Sequence, residues 1–230
     1  MSKMENFETI WQRAAERKGG DDALRALLPA PEATTLPSDD RLLSAMSAQI
    51  FKSGFVWRVV ENKWPAFEEA FWGFAPLKLV LMSPDQLDQR MQNPALIRHG
   101  KKMQAVLDNA RMVAELAEEH GSFGQWLSQW QSREVVTLWA ELKKRGARLG
   151  GNTGPYFLRA VGIDTFLMTG DVTSYLQAHQ LIEGAPTSKR ALTQAQACFD
   201  QWQQQSGLPL ASISRVISCS VGDNRLGVSH

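Results

Sequence analysis

Apolar positions recur along this chain with the period of a helix, and strand-like alternation is hard to find. Met103, Val106, Leu107, Ala110, Val113, Ala114 and Ala117 follow i, i+3, i+4, i+7 spacing, with Lys102, Asn109, Arg111, Glu115 and Glu118 on the other face. The pattern predicts a long amphipathic helix ending near Gly121. Start signals punctuate the rest: Ser38 before Asp39 and Asp40, Ser83 before Pro84, Ser132 two residues before Glu134, and Thr187 or Ser188 before Ala191, Ala195 and Phe199. About nine or ten helices joined by short loops are expected, so the fold class is all-α, built from short helices. Pro29 to Pro37 is the only linker-like stretch, setting a short N-terminal helical segment apart from the main body.

Composition adds limits. With 230 residues and 43% hydrophobic content the chain can bury a substantial core. Apolar runs such as Leu79 to Met82 fall far short of the roughly 18 residues that span a bilayer, and Met1 to Arg17 is charged throughout, so no membrane association and a cytoplasmic location are expected. Cys198 and Cys219 read as buried free thiols in preference to a disulfide, and the four histidines show no HExxH or clustered spacing. No protein-only metal site is expected. Most of the eight tryptophans must pack in the core, which leaves one or two as candidates to face a cleft and stack on a base.

Charge is segregated along the chain. The whole carries +1, yet Arg133 to Arg159 holds six Lys/Arg against two acids and Ala95 to Arg111 four against one, so the remainder is net acidic. A phosphate-binding face requires such a distribution, although helix faces that happen to be basic would look the same.

The basic segment near position 145 has a form of its own. A helix ending in Lys143, Lys144 and Arg145 runs into a turn from Gly146 through Arg148, Gly150, Gly151, Asn152 and Thr153, and a second helix begins near Gly154 and Pro155. Such a helix-hairpin-helix, at about 140–160, suits nucleic-acid phosphate: glycines let the turn approach closely, and the first N–H groups of the second helix are expected to point outward. The lysines and arginines then position DNA without reading sequence, or else form a solvated basic helix end.

Three stretches in the same order resemble bacterial 3-methyladenine DNA glycosylase I, within the helix-hairpin-helix glycosylase superfamily. They are Leu42-Leu43 to Ser53-Gly54-Phe55-Val56-Trp57; Ile97-Arg98-His99-Gly100-Lys101-Lys102-Met103-Gln104-Ala105 with Asn109-Ala110-Arg111; and Leu142-Lys143-Lys144-Arg145-Gly146 with Gly151, Thr153 and Tyr156. The similarity runs from about Asp40 to Thr173, and it implies one domain over 1–230 with two helical lobes around a cleft. It also implies a base pocket. Gln49 stands where the family has a glutamate that reads the alkylated base, and a neutral amide both donates and accepts. Gln49 therefore reads a base edge or is an amide satisfied by backbone. Trp57 stacks on an extruded base, an arrangement that suits cationic alkylated purines, or fills core beneath the hairpin. His99 is a further backbone contact or a solvated neighbour of acidic faces. The family's zinc clip is incomplete, because neither cysteine nor histidine occurs before His99.

Many proteins of the superfamily carry an aspartate about twenty residues past the hairpin, and Phe166-Leu167-Met168-Thr169-Gly170-Asp171-Val172-Thr173 is similar to that segment. Asp171 would stabilise positive charge on the sugar or orient water, or it caps the helix through Val172, Tyr175 and Leu176. The expected function is that of a monofunctional DNA glycosylase of base excision repair, monomeric and without cofactor or metal. It flips an alkylated purine such as 3-methyladenine out of double-stranded DNA and hydrolyses its N-glycosidic bond. The rivals are a non-catalytic DNA-binding relative and an all-α protein-interaction domain.

Overall fold

The computed structural model describes residues 4–29, 35–130 and 134–222. The start signal at Ser132 and residues 30–34 of the proline-rich stretch lie outside the described residues. Thirteen α-helices and one 3-10 turn occur among the described residues, and no strand. The all-α expectation holds, with more helices than the periodicity suggested. The extra ones, such as α2 (Asp21–Arg25), α5 (Pro76–Val80) and α8 (Phe123–Ser128), are five or six residues long, too short to display a period. No helix among the described residues is long and apolar enough to cross a membrane.

The chain divides into two compact units. The first contains α1 (Phe7–Lys18), α2, α11 (Gly170–Ala178), α12 (Lys189–Ser206) and α13 (Leu210–Ser220). Here α1 packs on α13, α2 and α12, and Phe166 stacks on Phe199 at 4.1 Å. Two carboxylates organise this unit. Asp164 accepts from the Leu210 and Ala211 amides, each at 2.8 Å, and so caps α13 from a distant point in the sequence. Glu5 accepts from the Tyr175 hydroxyl at 2.7 Å and pairs with Arg13 at 2.5 Å.

The second unit holds α3 (Asp39–Lys52), α4 (Trp57–Ala70), the 3-10 turn Trp72–Phe74, α5, α6 (Pro84–Gln92), α7 (Gly100–His120), α8, most of α9 (Val135–Arg145) and α10 (Thr153–Ala160). Its centre is α3, which packs on α4, α7, α10 and the 3-10 turn. Predicted boundaries hold where a cap is present: Ser83 forms a capping box with Gln86, Ser188 accepts from the Ala191 amide, and α7 stops at Gly121. Along α7 the apolar stripe is buried as the spacing requires, but Lys102 and Asn109, expected on the polar face, are 3% and 0% exposed. Each has a structural duty described below.

An ion pair ties α3 to α4. Arg41 reaches both Glu68 oxygens, at 2.9 and 2.8 Å, and Ser44 donates to the same carboxylate at 2.5 Å. Burial alone would raise the Glu68 pKa; the hydrogen bonds from Arg41 and Ser44 outweigh it and hold the group below the usual carboxylate range. A depressed folded pKa contributes stability that is present above the unfolded value, near 4.3, and disappears as pH falls through the folded one. Glu68→Gln is therefore expected to be less stable than the parent at pH 7, with the gap closing below about pH 4. Urea melts across a pH series measure this, and a gap independent of pH would rule the mechanism out.

Candidate nucleic-acid interface

The hairpin is built from α9, the turn 146–152 and α10. Lys143, Lys144 and Arg145 are exposed at the end of α9, with Arg145 bonded to Glu141 at 3.1 Å. Asn109, inside α7, holds the turn: its Oδ1 accepts from the Ala147 amide at 2.7 Å and its Nδ2 donates to the Ala147 carbonyl at 3.1 Å. Two glycines let the chain pass. A Cβ at Gly146 would lie 2.6 Å from Leu149 Cδ1, 2.9 Å from Asn109 Oδ1 and 3.0 Å from the Leu142 carbonyl, while one at Gly154 would lie 2.8 Å from the Leu149 carbonyl. Arg148 is exposed and held at φ 60°, a left-handed conformation that a non-glycine residue adopts only under constraint.

The free donors are not where the helix start was expected to put them. The Thr153 and Gly154 amides turn back to the Gly150 and Leu149 carbonyls, at 3.4 and 3.2 Å, and Pro155 has no N–H. Gly150 and Gly151 instead have amides without a partner among the described residues. The outward-facing N–H groups thus belong to the turn. Lys143 lies along Gly150, its methylenes 3.6 Å from where a Cβ would stand.

The turn between α3 and α4 lies in the same unit. Lys102 caps the end of α3, donating from Nζ to the Phe51 and Ser53 carbonyls at 3.0 and 2.6 Å, and its pKa is lowered by burial and then by the nearby Arg148 cation. Lys102 therefore shapes the loop Ser53 to Val56 and does not contribute to a surface charge cluster. His99 is the N-cap of α7, its Nδ1 accepting from the Lys102 amide at 3.4 Å, a role neither earlier alternative included. Arg98 and Lys101 stay exposed, and Arg111 pairs with Asp108 at 3.0 Å.

Trp57, the first residue of α4, is 45% exposed, and alone among the eight tryptophans it belongs to the exposed class. It is not core filler. Its ring meets Tyr156 of α10 edge to face at 5.3 Å, so the exposed indole stands against the hairpin's second helix. Phe55 and Val56, just before it, are exposed as well. Gln49 is half-buried on α3, and its amide has no hydrogen-bond partner among the described residues, which removes the backbone-satisfied reading.

Asp171 lies in the first unit. The capping reading is corrected: Thr169 is the N-cap of α11, its Oγ1 accepting from the Val172 amide at 3.3 Å, and Asp171 sits in the first turn. Its carboxylate is half-buried and has no hydrogen-bond partner among the described residues. Cys198 and Cys219 are buried free thiols, and no group of three or more His, Cys, Asp or Glu among the described residues is placed to hold a metal ion.

Helix pairs joined by a tight basic turn, in an all-α frame, define the class: the fold is that of helix-hairpin-helix DNA glycosylases. The 8-oxoguanine DNA glycosylase of Methanocaldococcus jannaschii superposes with a TM-score of 0.54 over 92% of this chain and 91% of its own at 12% identity, which speaks to fold alone. A 3-methyladenine DNA glycosylase I variant from Staphylococcus aureus superposes with a TM-score of 0.50 at 25% identity, covering 63% of this chain and 88% of that one. The methyladenine glycosylase family model matches residues 33–139. Among curated proteins, the DNA-3-methyladenine glycosylase of Haemophilus influenzae is 27% identical over 131 residues, 49% of this chain and 71% of that protein. The corresponding figures for Escherichia coli DNA-3-methyladenine glycosylase 1 are 27%, 49% and 70%. Residues 33–139 are therefore similar to the methyladenine glycosylase family, at 27% identity to these curated relatives.

Proposed function

We propose that this protein is a monofunctional DNA glycosylase of base excision repair, hydrolysing the N-glycosidic bond of an alkylated purine, such as the 3-methyladenine named for its relatives. The carrying observation is local to the second unit: an exposed Trp57 against α10, a Gln49 amide without a partner, and a turn presenting free amides beside Lys143. In this reading Gly150, Gly151, Lys143, Lys144, Arg145 and Arg148 hold phosphate, with Asn152, Thr153 and Gly154 completing the turn. Trp57 stacks on the flipped base and Gln49 reads its edge. The Asp171 carboxylate stabilises the oxocarbenium-like sugar as the bond to the base breaks, and water completes the hydrolysis. The protein acts as a monomer on double-stranded DNA in the cytoplasm, residues 1–230 working as one domain.

Release of free base from duplexes bearing alkylated purines, run beside duplex-binding measurements, tests the reading. Release from at least one lesion is expected, and Lys143→Ala with Lys144→Ala should weaken binding and flatten its salt dependence by about two counterions. Binding without release of any lesion would identify a non-catalytic DNA-binding relative; salt-insensitive or absent binding would favour a protein-interaction domain.

A further inference from the structure

The Asp171 carboxylate has no hydrogen-bond partner among the described residues, so its position is set by what packs against it. The backbone of Gly222, two residues beyond the end of α13, stands there: a Cβ at Gly222 would lie 3.2 Å from Asp171 Oδ1 and 3.9 Å from its Cγ. Gly222 is at φ 70°, a left-handed conformation that favours glycine. Arg17 of α1 in turn holds Gly222. Its guanidinium donates to the Gly222 carbonyl and, from Nε, to the Cys219 carbonyl at 3.2 Å. Carbonyls at a helix C-terminus lack partners within the helix and form the negative end of its dipole. A cation there satisfies them and offsets the negative potential that α13 would otherwise turn on a neighbouring carboxylate.

A second bridge lies one helical turn away. Arg13, four residues before Arg17 on α1, pairs with Glu5 at 2.5 Å. Tyr175, four residues after Asp171 on α11, donates to Glu5 at 2.7 Å, and His179 places Nε2 3.5 Å from the same carboxylate. Burial alone would raise the Glu5 pKa; the hydrogen bonds from Tyr175 and Arg13 outweigh it and hold the group below the usual carboxylate range. Residues four apart share a helix face. The face of α1 with Arg13 and Arg17 is thus tied, rung by rung, to the face of α11 with Tyr175 and Asp171, all within the first unit. One rung fixes the helix, and the other ends at the carboxylate. We infer that Arg17 is a positioning residue for base release: by pinning Gly222 against Asp171 it fixes where the carboxylate stands as positive charge develops on the sugar. The inference rests on the reading that Asp171 opposes that charge.

A duplex containing a pyrrolidine abasic nucleotide, protonated at neutral pH, mimics the charged sugar, and one containing tetrahydrofuran has the same shape without the charge. The ratio of their affinities for the full-length protein, measured by fluorescence anisotropy, reads the carboxylate and not the fold. The parent is expected to bind the cationic duplex about tenfold more tightly, the scale of one charge pair near a protein surface. Arg17→Met and Gly222→Ala should each bring the ratio close to one and Arg17→Lys should restore most of it, with affinity for the neutral duplex kept throughout as the sign of a folded protein. Loss of a cation by itself works the other way. If Arg17 were only a neighbouring charge, Arg17→Met would raise the ratio and Gly222→Ala would leave it unchanged, and either result would overturn the inference. Asp171→Asn is measured beside them. Equal binding of the two duplexes by the parent, binding of neither, or a preference that survives Asp171→Asn would refute the role of Asp171 itself. A preference lost in Asp171→Asn but kept in Arg17→Met would refute the positioning role alone.

Discussion

Asn109→Ala is expected to lower stability by about 3 kcal/mol and to remove most of the protein's affinity for duplex DNA. Its side chain is fully buried and serves both the amide and the carbonyl of Ala147. Truncation leaves both backbone groups without these partners, and each buried unsatisfied group costs about 1–3 kcal/mol. The effect reaches function because Ala147 begins the turn that presents the Gly150 and Gly151 amides. Gly146→Ala attacks the same turn from its other side, since its new methyl group would collide with Leu149, Asn109 and the Leu142 carbonyl. Urea unfolding and duplex binding at several salt concentrations measure both consequences. An Asn109→Ala protein with parental affinity would show that the turn keeps its shape without the amide.

Asp171→Asn is expected to slow base release by about 10²–10³ while stability stays within about 0.5 kcal/mol of the parent. The two effects separate because the α11 cap belongs to Thr169, so the Asp171 carboxylate is not needed to start the helix. Asparagine keeps the size and polarity of the side chain and removes its charge, the property that opposes positive charge on the sugar. Single-turnover release of the base together with thermal unfolding distinguishes the outcomes. Unchanged release would take Asp171 out of the chemistry, and a large loss of stability would return it to a structural role.

The places where sequence reading went astray share a cause. Polar character, not spacing, placed Lys102 and Asn109 among the exposed residues of α7, although both fall in line with Val106 and Val113. Both are buried because they satisfy backbone groups of elements 38 to 51 residues away in sequence, at the hairpin and at the end of α3. A pattern read within one helix holds no information about such partners. Lys52 was passed over for the same reason: its ammonium lies over the Trp57 ring and bonds to Glu61, both across a turn. A polar residue spaced with the apolar stripe, as Asn109 is beside Val106, Ala110 and Val113, was the available signal.

What the sequence determined by itself was local: helical periodicity, the caps at Ser83 and Ser188, the glycine-marked stop of α7, and the basic helix end running into a glycine-rich turn. These features depend on backbone preferences and hydrogen bonds within a few residues, so a linear reading reaches them. Tertiary structure alone decided which amides of the hairpin stay free, that Trp57 is exposed against Tyr156, and that a lysine covers one face of the candidate stacking ring. Each of these depends on where a buried polar group finds its partner or where a side chain meets another element, and that is settled only when distant segments pack together.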